Sequence, residues 1–330
     1  MKERKPGLDL IRCLGLLLVV TFHSYLNNGY YFESQRGIWM ILAGGSRWFS
    51  TACNGLFLML TGWLKSQSTD VKSCWRGIPG VLTGYLLAAL ISIPVRHFLL
   101  GDRKDLGTWI SLFFQFRGIY YGWYVEMYVG LILLAPFVNK LLHTLDKTEL
   151  ILGAAIMVLL TALPGVHWIF PDYWRDMYPL TYYLLGALIR RLDLRIPTLW
   201  GGLGAAATAF TLGAATVIST DQSIYEAAAW EFGDLWITVI VFLLFSSLYH
   251  LKVTGKTAKI LCFGASGCYG GYLLSHLLDD WCYRLFSGWH RPEYYWLLFL
   301  CVTIPIYAAS VASGMLLERF SGVLTRRRRL

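Results

Sequence analysis

A chain of 330 residues that is 56% hydrophobic, 16% aromatic and only 15% charged is too apolar for a soluble globular protein of ordinary usage. Its formal charge of +9 needs no nucleic acid, because basic residues beside membrane spans and their attraction to anionic lipid account for most of it. Apolar windows long enough to cross about 30 Å of hydrocarbon recur along nearly the whole length, so residues 1–330 read as a single membrane-embedded domain.

The predicted spans are 8–27, 46–64, 78–98, 120–142, 149–168, 177–190, 196–218, 227–249, 258–282 and 294–317. Runs this long, without ten-residue alternation, exclude a β-barrel and predict an all-α polytopic transmembrane bundle of about ten helices. The first span, LDLIRCLGLLLVVTFHSYLN, carries Asp9, Arg12 and His23. Arg12 and His23 are eleven residues apart, close to a whole number of turns, so they share one face about 16 Å apart along the axis. Ionisable groups at membrane depth are costly and tend to be functional, which makes this pair the first candidate site. Asp9 has two readings, an interfacial charge reaching back to water or a substrate contact. The basic start and apolar run resemble a signal peptide, but the three ionisable residues interrupt the run and no small-residue cleavage site follows, so a retained helix is expected.

Farther along, loop signals fall at 43–46, 101–107, 164–171 and Ser287-Gly288. In the fourth span Glu126 either pairs with Arg117 or a neighbouring helix, or orients a catalytic imidazole. The small-residue stretch Gly201 to Gly213 predicts close helix packing. Glu226, Glu231 and Asp234 make one half of the eighth span acidic, either as a water-lined surface or as an acceptor groove, and Glu231 and Asp234 stand beside Glu126 as carboxylates that could orient a catalytic imidazole. His276 in the ninth span belongs at a depth comparable to His23, as a hydrogen-bonded packing histidine or as a catalytic one. The clusters Tyr120, Tyr121, Trp123 and Tyr124, and Trp289 with Tyr294 to Trp296, fit membrane-interface belts first and sugar stacking second. Seven scattered cysteines without metal-ligand spacing predict free thiols and no metal.

Orientation follows from the basic residues. Nineteen of the 29 lie on the side of the N-terminus and nine on the other, with Arg12 inside the membrane, so both termini are expected in the cytoplasm. The Arg326 to Arg329 run then acts as a topology and lipid anchor.

Several landmarks now occur in one order: Asp9, Arg12 and His23; the run NGLFLMLTGWL; Arg76 and Pro79 in CWRGIPG; GWYVEMYVGLILLAPFVN; TYYLLGALIRR; and ASGCYGGYLLSHLL. Together they resemble the membrane acyltransferase 3 family, which contains O-acetyltransferases of bacterial surface glycans. Two positions depart from its pattern, with Thr61 where serine is usual and Ser73, beside Lys72, where a second arginine is common. The resemblance implies a multi-pass cell-membrane enzyme of a bacterial inner or plasma membrane. It moves an acyl group, commonly acetyl, from acetyl-CoA or another acyl-CoA to a hydroxyl of a surface glycan or lipid-linked sugar. His23 is then the base, with Glu126 and His276 as catalytic candidates; Arg12, Lys72 and Arg76 face the anionic donor; and Asp9, Trp123, Tyr124, Tyr272, Glu231 and Asp234 face substrate. Direct transfer with His23 as general base and a covalent acyl-histidine relay both stand. A transporter or flippase that leaves its glycan unaltered, and a non-catalytic sensor on the same scaffold, are the rival classes.

Overall fold

The computed structural model describes residues 5–163, 172–219, 233–286, 289 and 291–326. Among these residues the chain is helical and has no strand. In chain order the helices are α1 (Pro6–Asn27), α2 (Gly37–Ser50), α3 (Ala52–Lys65), α4 (Val71–Trp75), α5 (Ile78–Pro94), α6 (Leu106–Phe114), α7 (Gly122–Thr144), α8 (Lys147–Ala162), α9 (Tyr178–Leu192), α10 (Thr198–Ser219), α11 (Leu235–Leu248), α12 (Gly255–Ala265), α13 (Cys268–Leu285), α14 (Tyr295–Leu298) and α15 (Ile304–Arg326). Five described helical stretches are long and apolar enough to cross a membrane: α1, Val71–Leu99, α7, α10 and Pro292–Gly322. They coincide with the spans expected at 8–27, 78–98, 120–142, 196–218 and 294–317. The other expected spans contain the shorter helices α3, α8, α9, α11 and the α12–α13 pair.

The breaks have local causes. Ser50 and Thr51 both donate their hydroxyls to the Arg47 carbonyl, at 2.7 and 3.1 Å, which ends α2 where an unbroken span was expected to run on. Pro305 has no N–H to give and its ring crowds the turn before it, where residues Phe299–Thr303 widen into a π-helix. A second π-turn, Val95–Leu99, follows Pro94 and carries Arg96 into the interior, where it is 4% exposed.

α1 is the hub. Its apolar window is 72% buried, against 22–39% for the other four candidate spans, and it packs on α2, α3, α12 and α13. Helices in an apolar solvent associate through close packing more than through hydrophobicity, so small residues decide which faces meet. A Cβ added to Gly15 would meet the Phe57 ring of α3 at 2.8 Å, and one added to Gly44 would meet the Gly213 Cα of α10 at 3.2 Å. Gly45 lies under Phe210 in the same contact. The 43–46 loop signal is thereby corrected: those glycines lie inside α2 and are packing residues, because α10 presents the small-residue face read from Gly201 to Gly213. Gly270 and Gly271 of α13 approach the backbone of α15 at Gly314 and Ser310, at 2.6 and 2.7 Å from a built Cβ. The glycines of ASGCYGGYLLSHLL thus fix α13 against α15. The expected loop at 101–107 is a loop up to Asp105, which caps α6 by accepting the Thr108 N–H at 3.0 Å. The Thr108 hydroxyl and this N–H hold the Asp105 carboxyl below its usual range. The loop signals at 164–171 and at 287–288 lie outside the described residues.

Candidate active site

Arg12 and His23 stand on one face of α1, as their spacing requires, and each meets a different environment. At the Arg12 end, Nη1 donates to Asp9 Oδ1 at 2.6 Å; Asp9 is 2% exposed in its side chain and Arg12 31%. The pair with Asp9 holds the Arg12 guanidinium at the edge of a cavity of about 370 Å³. That cavity runs between α1, α3, α7 and α13 and is lined by Phe57, Thr61, Tyr124, Tyr128, Tyr269 and Tyr272, with Glu318 of α15 at its border. A second cavity of about 280 Å³ opens between the start of α5 and the end of α15, along Gly77, Gly80 and Gly84. The two share Val81, Tyr269 and Glu318, so they are neighbours across one wall of side chains. Arg76 directly precedes the glycine-lined cavity. With Lys72 it forms an i, i+4 pair of exposed cations on α4 and its C-cap, a helix capped by Asp70 through the Ser73 N–H at 2.7 Å.

At the other end, His23 Nδ1 lies 2.8 Å from the Val19 carbonyl, one turn back on its own helix. A carbonyl only accepts, so Nδ1 carries the proton and Nε2 carries the lone pair. The tautomer is set by backbone, not by a carboxylate. The imidazole lies flat on Tyr121 of the α7 N-cap, with ring centroids 3.9 Å apart and planes at 27°. Tyr121 donates its phenol to Asp279 Oδ2 at 2.8 Å, and its carbonyl accepts the Tyr272 phenol at 2.8 Å. Tyr124 and Tyr272, with rings 5.3 Å apart, line the larger cavity, and Tyr121, stacked on His23, meets the Tyr272 ring at 5.9 Å, so the cavity and His23 are neighbours through these tyrosines.

His276 is brought to this cluster. It is 1% exposed, its Nε2 is 3.1 Å from Ser92 Oγ of α5, and the Tyr120 and Tyr121 rings meet it edge-on at 5.3 and 5.7 Å. Arg96 covers the Tyr120 ring at 4.0 Å, donates to the Arg117 and Gly118 carbonyls and pairs with Asp102 at 2.6 Å. That ties the loop before α7 down over the cluster. Three buried atoms of the cluster, His276 Nδ1, Asp279 Oδ1 and Arg96 Nε, have no hydrogen-bond partner among the described residues.

Other candidates are not brought together. Glu126 is exposed on the α7 stripe that also carries exposed Trp123, Gly130 and Leu133, and it points out of the bundle, away from the face of Tyr124, Val125 and Tyr128. Trp123 is 40% exposed and meets Tyr124 edge-on at 6.0 Å. Asp234 caps α11, accepting the Trp236 N–H at 2.9 Å. Glu231 and Glu226 lie outside the described residues. Arg47 and Arg96 are two of the nine basic residues counted on the side opposite the N-terminus; both are buried. Arg47 is 2% exposed, donates Nε–H to the Tyr31 phenol at 3.1 Å and lies over the Trp48 ring at 4.6 Å. Sequence reading also passed over Asp279 and Ser92. The usable signal for Asp279 is its position three residues after His276, one turn along the same helix face.

Residues 5–315, almost the whole chain, match a family described as acyltransferase domain. No curated protein and no solved structure matches.

Proposed function

Since the chain belongs to this acyltransferase domain family and is a multi-pass membrane protein, we propose that it transfers an acyl group, acetyl in the simplest case, from a cytosolic acyl-CoA to a hydroxyl of a cell-surface glycan or glycolipid. In this reading the ten spans expected from sequence cross the cell membrane with both termini in the cytoplasm, and the Arg12 end of α1 faces the donor. The observation that carries the proposal is the tautomer of His23: with Nδ1–H spent on Val19, Nε2 is left as a base on the helix that also bears the cavity-lining Arg12.

The chemistry follows from that lone pair. The acceptor O–H bond breaks as its proton passes to His23 Nε2, the oxygen attacks the thioester carbonyl, and collapse of the tetrahedral adduct breaks the carbon–sulfur bond. The departing thiolate takes the proton from Nε2, and the neutral imidazole is restored. Arg12, Lys72 and Arg76 supply charge for the phosphates of the donor, and the tyrosine-lined cavity gives its extended arm an apolar, hydroxyl-edged path. An acyl group carried on Nε2 itself uses the same lone pair and is the covalent variant of this reaction.

The test uses sealed membrane vesicles of known orientation from cells making the full chain, supplied with labelled acetyl-CoA on one side only. Label is expected in membrane glycan when donor is on the cytoplasmic side, and not when it is confined to the opposite side. Label that appears equally from either side overturns the donor path, and no label from either side overturns the transferase reading.

A further inference from the structure

The stacking of His23 on Tyr121 exceeds what packing alone asks for. Aromatic neighbours commonly meet edge-on or offset at 4.5–7 Å between centroids. Here the planes are near parallel at 27° and the centroids only 3.9 Å apart, which puts the imidazole over the negative face of the phenol ring. That phenol spends its O–H on Asp279 Oδ2 at 2.8 Å, in a pair where Asp279 is 1% and Tyr121 8% exposed. A phenol donating to a carboxyl oxygen is a more electron-rich ring than one whose hydroxyl donates to nothing. Asp279 Oδ1 has no other partner among the described residues, so Tyr121 is the group to which this carboxyl is committed. Two backbone contacts then fix the sandwich from either side: Val19 holds His23 Nδ1 and Tyr272 holds the Tyr121 carbonyl.

Resting on the reading of His23 as the base, we propose that Tyr121, with its phenol anchored on Asp279, is a positioning residue that fixes the imidazole plane and stabilises the imidazolium formed during transfer. Neutral imidazole gains only a stack from this ring. When Nε2 takes the acceptor proton, the imidazole becomes a cation over a π face, an attraction absent from the ground state and so expressed in kcat. His276 approaches Tyr121 by its edge and is turned toward Ser92, while Arg96 covers Tyr120 instead, so neither competes for the face that His23 occupies.

The experiment replaces Tyr121 in the full chain by phenylalanine and by phenylalanines carrying one to three ring fluorines. These keep the ring's shape while draining its negative face. The readout is labelled acetyl passed from acetyl-CoA to membrane glycan in sealed vesicles. Losing the whole cation–π attraction corresponds to roughly 3- to 30-fold in kcat. Accordingly kcat is expected to fall stepwise with each fluorine, with the acetyl-CoA KM unchanged, and Tyr121→Phe is expected to lie between wild type and the fluorinated set. Asp279→Asn, which keeps an oxygen acceptor for the phenol, is expected to retain more activity than Asp279→Leu. A kcat that is flat across the fluorine series while His23→Ala is inactive overturns the role of Tyr121 and leaves the base intact. Full activity in His23→Ala overturns both.

Discussion

The two ends of the α1 face are built on opposite plans. Around Arg12 there is room: two neighbouring cavities, a glycine-lined wall on α5, and the exposed cations Lys72 and Arg76 beside it. Around His23 the side chains interlock, with Tyr121, Asp279, His276 and Ser92 each 8% exposed or less and three polar atoms left without partners among the described residues. Binding a large flexible anion calls for space and charges with freedom to adjust, whereas proton transfer calls for a group held within a narrow range of position. On the proposed function, this difference puts recognition at one end of the helix and chemistry at the other. Variants at the two ends are therefore expected to fail in different ways.

The sharpest separation comes from His23→Ala. Losing a positioned base costs on the order of 10²–10⁴ in rate, so acyl transfer is expected to drop by that factor while membrane yield and acetyl-CoA binding stay at wild-type level. Loss of donor binding in step with activity, measured by equilibrium dialysis on the purified protein, sinks the division between the two ends.

How far this division was legible beforehand depends on which physical rule wrote each feature. Helical periodicity alone put Arg12 and His23 on one face, and the fold class followed from hydropathy, because both are local properties of a run of residues. The glycines of 43–46 were misread because a Gly-Gly pair signals a turn only when nothing packs against it, and the partner of Gly44, Gly213, is 169 residues downstream. Tyr121 read as an interface aromatic for the same reason: its role comes from the start of α7 meeting His23 of α1 and Tyr272 and Asp279 of α13, which no local pattern states. Arg47 and Arg96 counted as charges on the side opposite the N-terminus. One is drawn in because α2 starts early at Gly37, the other because the π-turn after Pro94 rotates it inward. Glu126 shows the converse, a carboxylate in the right segment but about 160° around the helix from Tyr124 and Tyr128.

At the Arg12 end the expected effects are on donor requirement, not on turnover. Arg76→Ala removes one charge-assisted contact to a phosphate. Such contacts span about 1.5–3 kcal/mol, and an exposed arginine belongs at the weak end, so a rise of roughly tenfold in the acetyl-CoA KM is expected with kcat unchanged. Gly80→Leu tests the space itself. A Cβ at Gly80 meets nothing within 4 Å, yet the residue lines the cavity of about 280 Å³, so the leucine fills open volume without disturbing the helix. The acetyl-CoA KM is expected to rise several-fold while the thermal midpoint holds or climbs; a rise in KM accompanied by a falling midpoint means that the cavity wall, not its volume, was damaged.

The smallest effect sharpens the comparison from outside both ends. Glu126 belongs to the segment GWYVEMYVG that supplies Tyr124 and Tyr128 to the cavity, and a carboxylate there is a natural candidate to orient the base. On the proposed function, its geometry argues against that task. It is exposed on the stripe opposite Tyr124 and Tyr128, while His23 already has Nδ1 fixed by the Val19 carbonyl and its ring stacked on Tyr121. Glu126→Gln keeps size and hydrogen-bonding capacity and removes only the charge. Acyl transfer is expected to stay within about twofold of wild type, and stability to shift by no more than about 0.5 kcal/mol, the range of surface substitutions away from special features. A loss of a hundredfold or more in kcat, measured beside His23→Ala in the same vesicles, would mean that α7 turns its outward stripe toward the base during turnover, and the fixed-base account of the His23 end would have to give way.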